Sequence, residues 1–344
     1  MGNKKKRIFL GILIGIIIIA LGAGMFLYRK IFSPFFDIKE TTYIYIDERK
    51  DYQDLLLQLE TSAKIKDIKL FEYLSSTLEY PDKMKSGRYA VKPGMNCKEF
   101  LSVLLNGLQT PVKLTFNNVR LKQDLAERIG QQLMLESADL LVKLEDSAVC
   151  TGYGFDPQTI IGMFIPNTYE IYWNTSVDQF LLRMKKEYDR FWTEERKKKA
   201  DNIPLSLIQV SVLASIVEEE TAVKSEFPVV SGLYINRLKK GMLLQADPTV
   251  KFAVGDFTIR RVLYSHLETD SPYNTYIYSG LPPGPIRIPS IAAIDGVLNH
   301  AKHNYLYMCA KEDFSGKHNF ATTMAEHSRN ADRYRAALNR NNIR

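Results

Sequence analysis

Hydrophobic and polar positions follow three regimes along this chain. Residues 8–28, IFLGILIGIIIIALGAGMFLY, are apolar without a charge. At ~1.5 Å per helical residue they reach about 30 Å, one bilayer core. Strand-then-helix units follow. TTYIYI (41–46) alternates and is β-branched and aromatic, so it predicts a strand. DYQDLLLQLE (51–60) and IKDIKLFEYLSSTL (65–78) carry helical spacing, SGRYAV (86–91) reads as a strand, and KEFLSVLLNG (98–107) as a helix ended by Asn106-Gly107. PVKLTF (111–116) and LKQDLAERIGQQL (121–133) repeat the strand–helix order.

The third regime mixes helices with punctuated loops. RKKKADN (196–202) reads as the solvated end of a helix, its cations favoured by the helix dipole. Pro204 suits the first turn of a helix running to Glu220, and FPVVSGLYINRLKKGM (227–242) predicts a second helix ending at Gly241. Prolines and glycines between 243 and 290 exclude long regular elements. IAAIDGVLNHAKH (291–303) predicts a helix, YLYMCA (305–310) and HNFAT (318–322) a hairpin, and residues 324–340 a closing helix. The expected fold class is α+β.

Charge sharpens the first regime. The formal net charge is +7, but Lys4, Lys5, Lys6, Arg7, Arg29 and Lys30 all lie within residues 1–30 and leave +1 for the rest. A near-neutral body argues against nucleic-acid binding. The apolar run is too long for a cleaved signal peptide, Phe26-Leu27-Tyr28-Arg29-Lys30 is a poor cleavage site, and no cysteine follows to carry a lipid. Four cations before the run and two after keep residues 1–7 in the cytoplasm. The expected organisation is a cytoplasmic tail (1–7), a transmembrane signal anchor (8–28), a linker (29–40), a small module (41–117) and a larger domain (118–344) across the membrane. Cys97, Cys150 and Cys309 match no zinc spacing and are expected to be packing residues.

The chemistry centres on ASIVEEETA (214–222). On a helix, Leu213, Ile216, Val217 and Glu220 share one face, whereas Glu218 and Glu219 lie toward or over the edge. Glu220 is thus drawn toward apolar surroundings, which raise a carboxyl pKa and keep a proton available for general-acid work. QADPT supplies Gln245, Asp247 and Thr249, and YNTY supplies Tyr273, Asn274, Thr275 and Tyr276. Aromatic rings beside amides and hydroxyls suit the faces and hydroxyls of a sugar. His300 and His303 share the predicted helix face, but no HExxH or neighbouring carboxylate completes a metal site, and no nucleophile elbow is present. No metal or cofactor is expected.

In this order, the anchor, ASIVEEETA, YINRLKKGMLLQADPTV, YNTY and GLPPGPI (280–286) resemble the YceG-like endolytic murein transglycosylases. HNFATTMAEH (318–327) resembles that family's late His-x-Phe segment, and SGRYAVKPGMNCKEFLSVLLNG (86–107) its LysM-like module. The resemblance implies that Glu220, the second Glu of a Glu-x-Glu-Thr motif, is the catalytic acid and then the base, and that the β-1,4 bond between N-acetylmuramic acid and N-acetylglucosamine is cut with formation of a 1,6-anhydro end. Gln245, Asp247, Thr249, Tyr273, Asn274, Thr275 and Tyr276 are the expected substrate-binding residues. The middle Glu219 is expected to raise the Glu220 pKa slightly if its charge is unscreened. Implied partners are peptidoglycan strands and penicillin-binding proteins, and the implied location is the inner membrane. Two readings compete: a hydrolytic muramidase using Asp247 as its second carboxylate, and a non-catalytic wall-binding scaffold.

Overall fold

The computed structural model describes residues 2–341, and the fold is mixed α and β. Helix α1 (Gly2–Phe32) contains the apolar run and continues past it. Its segment Lys6–Phe32 is long and apolar enough to cross a membrane. The expected linker is therefore helical to Phe32, where Lys30 pairs with Asp67 at 2.6 Å. Phe35 and Phe36 are then buried, and Phe36 bridges Ile65, so the end of that linker is core.

The chain divides into two compact units. The first comprises residues to 113 together with 170–175, so the division falls near but not at residue 117. It follows the predicted strand–helix–helix–strand order: β1 (Thr42–Ile46), α2 (Tyr52–Thr61), α3 (Ile68–Thr77) and β2 (Gly87–Val91), then α4 (Cys97–Asn106). Strands β1 and β2 pair antiparallel, Thr42 opposite Val91 and Ile46 opposite Gly87. Asp51 caps α2, and Asn96 with Glu99 forms a capping box on α4. Ile44, Leu59, Phe71, Tyr89, Phe100 and Leu104 fill a sealed core.

The second unit holds residues 114–169 and from 176 onward. β3 (Val112–Thr115) pairs with β4 (Thr168–Ile171). Helices α5 (Lys122–Gly130), α6 (Ser137–Glu145) and α7 (Ser147–Gly152) lie between them in sequence. α8 (Val177–Phe191) and α9 (Glu194–Asp201) follow. The lysine-rich segment 196–202 thus belongs to a helix of its own, started by Thr193, whose hydroxyl accepts the Arg196 N–H.

The centre is α10 (Leu207–Glu220) and α11 (Phe227–Lys239), with α14 (Ile291–Leu298) packed against both. Between them in sequence lie α12 (Asp247–Val254) and α13 (Tyr264–Leu267). The antiparallel hairpin β5 (Tyr307–Ala310) and β6 (His318–Ala321) pairs as predicted, and α15 (Met324–Arg340) follows. One expectation needs correction. α14 stops at Leu298, so His300 and His303 share no helix; the His303 ring bonds the Val229 carbonyl and the Tyr305 N–H instead. All three cysteines are free, with Cys97 and Cys150 buried.

Candidate active site

Ser206 and Gln209 start α10 with a reciprocal capping box. From Val210 to Val217 every residue is buried, so the helix is apolar all round rather than amphipathic. A single wet face therefore does not exist, and the three terminal glutamates are distinguished by their partners. Helix C-termini disfavour anions, so each carboxylate needs compensation. Glu218 accepts the Ser290 N–H at 2.7 Å. Glu219 is gripped by Arg120 at 2.7 Å and Arg287 at 2.5 Å.

Glu220 has no cationic partner within bonding distance among the described residues. Its Oε1 accepts the Tyr234 hydroxyl at 2.7 Å. Burial is the dominant influence and pushes its carboxyl up to about 7; the Tyr234 bond opposes that rise, and the Asp247 charge adds to it. Glu219 is paired with two guanidinium groups, which screen its charge. The condition for a contribution from the middle glutamate, an unscreened charge, is therefore not met, and the carboxylate that raises the Glu220 pKa is Asp247. Burial also holds the Tyr234 hydroxyl well above its usual pKa, which keeps it a donor.

Glu220 opens into a cleft of about 260 Å³. Gln245, Asp247 and Tyr276 line it, as do Tyr234 and Arg237 of α11 and Met308, Cys309, Ala310 and His318 of the hairpin. Asp247 accepts the Tyr276 hydroxyl at 2.6 Å, which with burial raises the tyrosine pKa. Arg237 is a buried staple: it donates to the carbonyls of Leu243, Leu244 and Leu306 and to Gln245 Oε1. It thereby ties the Gln245 turn to the hairpin. Gln245 itself has φ +50°, a left-handed conformation costly for a residue with a side chain. Its N–H bonds the Thr275 carbonyl at 3.0 Å, which holds the turn.

The cleft thus gathers Glu220, Gln245, Asp247 and Tyr276 from the sequence candidates. Thr249, Asn274 and Thr275 are buried elsewhere. Thr249 and Thr275 share a hydroxyl–hydroxyl bond of 2.8 Å, and Thr275 Oγ1 accepts the Ala246 N–H. Asn274 donates to the carbonyls of Leu267 and Thr269. The structure does not bring these three into the cleft: their polar atoms bond one another and nearby backbone groups. Tyr273 faces a second cleft with Arg120, Lys122 and Phe252, its ring 4.6 Å from that of Phe252. Burial pushes its hydroxyl up to about 12.

The Pro/Gly segment reaches the same helix. Ile286 N–H donates to Ser215 at 3.1 Å, and any side chain at Gly284 would meet the Gln158 carbonyl at 2.1 Å. Tyr234, Arg237 and His318 were not among the sequence candidates. The first two are three residues apart on one face of α11, a signal present in YINR but silent about what that face meets. Among the described residues, no group of three or more His, Cys, Asp or Glu side chains is gathered as for a metal ion.

A buried carboxyl poised near neutrality beside aromatic hydroxyls can protonate a leaving oxygen. The family model of the YceG-like family matches residues 44–333. The chain belongs to the YceG-like family. It is 29% identical over 334 residues to the endolytic murein transglycosylase of Bacillus subtilis, covering 92% of this chain and 91% of that one. Identity to the endolytic murein transglycosylase of Streptococcus pneumoniae is 25%, covering 98% of this chain and 67% of the relative. The crystal structure of a putative YceG-like protein from Listeria monocytogenes superposes with a TM-score of 0.55 at 27% identity, covering 85% of this chain and 99% of that one. The YceG-like family match thus encloses Glu220 and every residue of the cleft.

Proposed function

We propose that this chain is an endolytic murein transglycosylase, cutting the β-1,4 bond between N-acetylmuramic acid and N-acetylglucosamine in nascent glycan strands. Glu220 protonates the leaving oxygen, and the muramyl 6-hydroxyl attacks C1 to give a 1,6-anhydro end. The vacated Glu220 carboxylate is then available to accept the hydroxyl proton. A nucleophile tethered in the substrate removes the need for an activated water, so one carboxylate can serve where hydrolytic glycosidases use two. The observation that carries this reading is the Glu220 carboxyl, raised to about 7 by burial and opening into the cleft. The names of the relatives support the same reaction class.

Gln245, Asp247 and Tyr276 are proposed to hold the sugar and to stabilise positive charge developing at C1. Residues 8–28 are proposed to anchor the chain in the inner membrane with the N-terminus cytoplasmic, which keeps the cleft near newly made strands. A glycan-binding role for the LysM-like module, and contact with penicillin-binding proteins, belong to the same proposal. The test is mass spectrometry of purified glycan strands treated with the full chain or with Glu220→Gln. Anhydro ends from the unaltered protein alone support it. Reducing ends indicate hydrolysis and move attention to Asp247, and binding without cleavage indicates a scaffold.

A further inference from the structure

A second buried acid beside the cleft has no part in the reaction above. Glu226 is only 7% exposed and directly precedes α11. The ordinary use of an acid at a helix start is to cap its first N–H groups. The Glu226 side chain bonds none of them. Its oxygens reach to two other elements instead. Oε2 accepts the Thr221 hydroxyl at 2.9 Å, and Oε1 accepts the His318 backbone N–H at 2.8 Å. The His318 ring nitrogen Nδ1 also lies 2.9 Å from Oε2. Thr221 follows Glu220 directly, is buried in an extended conformation that ends α10, and accepts the Val223 N–H at 3.1 Å. His318 begins β6 and lines the cleft into which Glu220 opens.

One side chain thus joins the end of α10, the start of α11 and the first residue of β6. Those three elements carry Glu220, its partner Tyr234 and the hairpin wall of the cleft. We propose, on the basis of the transglycosylase reading, that Glu226 is a positioning residue: through Thr221 and His318 it fixes the distance between Glu220 and the hairpin wall. The glycan then enters a cleft whose acid is already aimed, and Glu220 remains the only group that gives and takes the proton. An acid displaced by about 1 Å can lose two orders of magnitude in rate, so a fixed spacing has a catalytic consequence. A loosened wall would also admit water to Glu220 and weaken the burial that keeps it protonated. If Glu226 merely held the turn between α10 and α11 together, its loss would lower stability and leave kcat of the folded protein intact.

The test uses the full chain in detergent with purified glycan strands. Glu226→Ala is expected to lower kcat by about 10- to 10²-fold with KM changed little, because the acid moves and the sugar-holding residues stay. Glu226→Gln keeps an oxygen for the His318 N–H and turns its amide toward Thr221, and it is expected to recover most of that loss. Thr221→Val removes the hydroxyl and retains the Glu226 side chain. It should lower kcat by less than Glu226→Ala, and move the Glu220 carboxyl ¹³C midpoint down from about 7 toward 4.5. Phe100→Ala is the control for lost stability and should move neither reading. Should Glu226→Ala fail to fold, the Thr221→Val readings decide. Normal kcat in a folded Glu226→Ala, or unchanged kcat and midpoint in Thr221→Val, would make Glu226 a staple of the fold alone and overturn the proposal. A Glu226→Gln variant as slow as Glu226→Ala would assign the effect to charge and overturn it as well. Anhydro ends from the unaltered protein alongside any of these leave the transglycosylase reading standing. Reducing ends from the unaltered protein remove both.

Discussion

The two compact units solve the problem of burial differently. Among the described residues, the first buries Ser75 and Asn96 as its polar groups, and one is a helix cap. The second buries Thr159 and Asn330 and, between α10 and the Tyr276 loop, Ser211, Ser215, Thr221, Glu226, Ser231, Arg237, Thr249, Asn274 and Thr275. An unbonded buried polar group costs free energy, so such a concentration persists only where its bonds fix something. Here the bonds of Arg237, Thr249, Thr275 and Glu226 fix the Gln245 turn, the start of α12 and the hairpin, three edges of one cleft. The first unit is ordered by apolar packing, and the second by apolar packing plus a polar frame around a single desolvated carboxyl.

The sharpest way to break that contrast is to remove the carboxyl. Glu220→Gln should lower turnover by about 10²- to 10⁴-fold while the protein folds. It should also change stability with pH. Glu220 has a folded pKa of about 7 against an ordinary 4.5, so the folded state holds its proton more tightly. The native contribution is intact below the lower value, declines as pH rises, and is lost above the upper one. Glu220→Gln escapes that decline and should be more stable than the unaltered protein at pH 8, by up to about 3 kcal/mol, with little difference at pH 4. Denaturant melts at the two pH values check the sign.

Phe100→Ala probes the other side of the comparison. Phe100 is fully buried in the first unit, and its truncation should cost about 3–5 kcal/mol there. Turnover at temperatures where both units stay folded should change little. Thr275→Val removes the hydroxyl that receives Ala246 N–H and meets Thr249, at a cost of about 1–3 kcal/mol. Unlike Phe100→Ala it should also lower turnover, because Ala246 sits between Gln245 and Asp247. The smallest expected effect is that of Tyr234→Phe. Losing a bond that favours the charged form raises the Glu220 pKa further, so the fall in kcat/KM at high pH should move upward.

Much of this arrangement was legible from local pattern. The strand–helix–helix–strand order, the end of α10, the Gly241 stop and the hairpin all follow from spacing and turn residues within a dozen positions. Choosing Glu220 among three glutamates was also possible, though for an incomplete reason. α10 has no wet face, and what singles out Glu220 is that Arg120 and Arg287, 99 and 68 residues from Glu219, neutralise its neighbour. Those partners leave no local trace. Thr249, Asn274 and Thr275 look the same in sequence whether they bind a sugar or one another. Tyr234 and His318 were missed because their partners, Glu220 and Glu226, lie 14 and 92 residues away.

The central claim is that burial, with a smaller push from the Asp247 charge, keeps one glutamate protonated near neutrality. Carboxyl ¹³C titration of the full chain, assigned by the resonance that disappears in Glu220→Gln, measures it directly. A midpoint near 7 is the predicted result, moving upward in Tyr234→Phe. A midpoint in the ordinary range near 4.5 would leave Glu220 ionised at neutral pH and contradict its role as the acid.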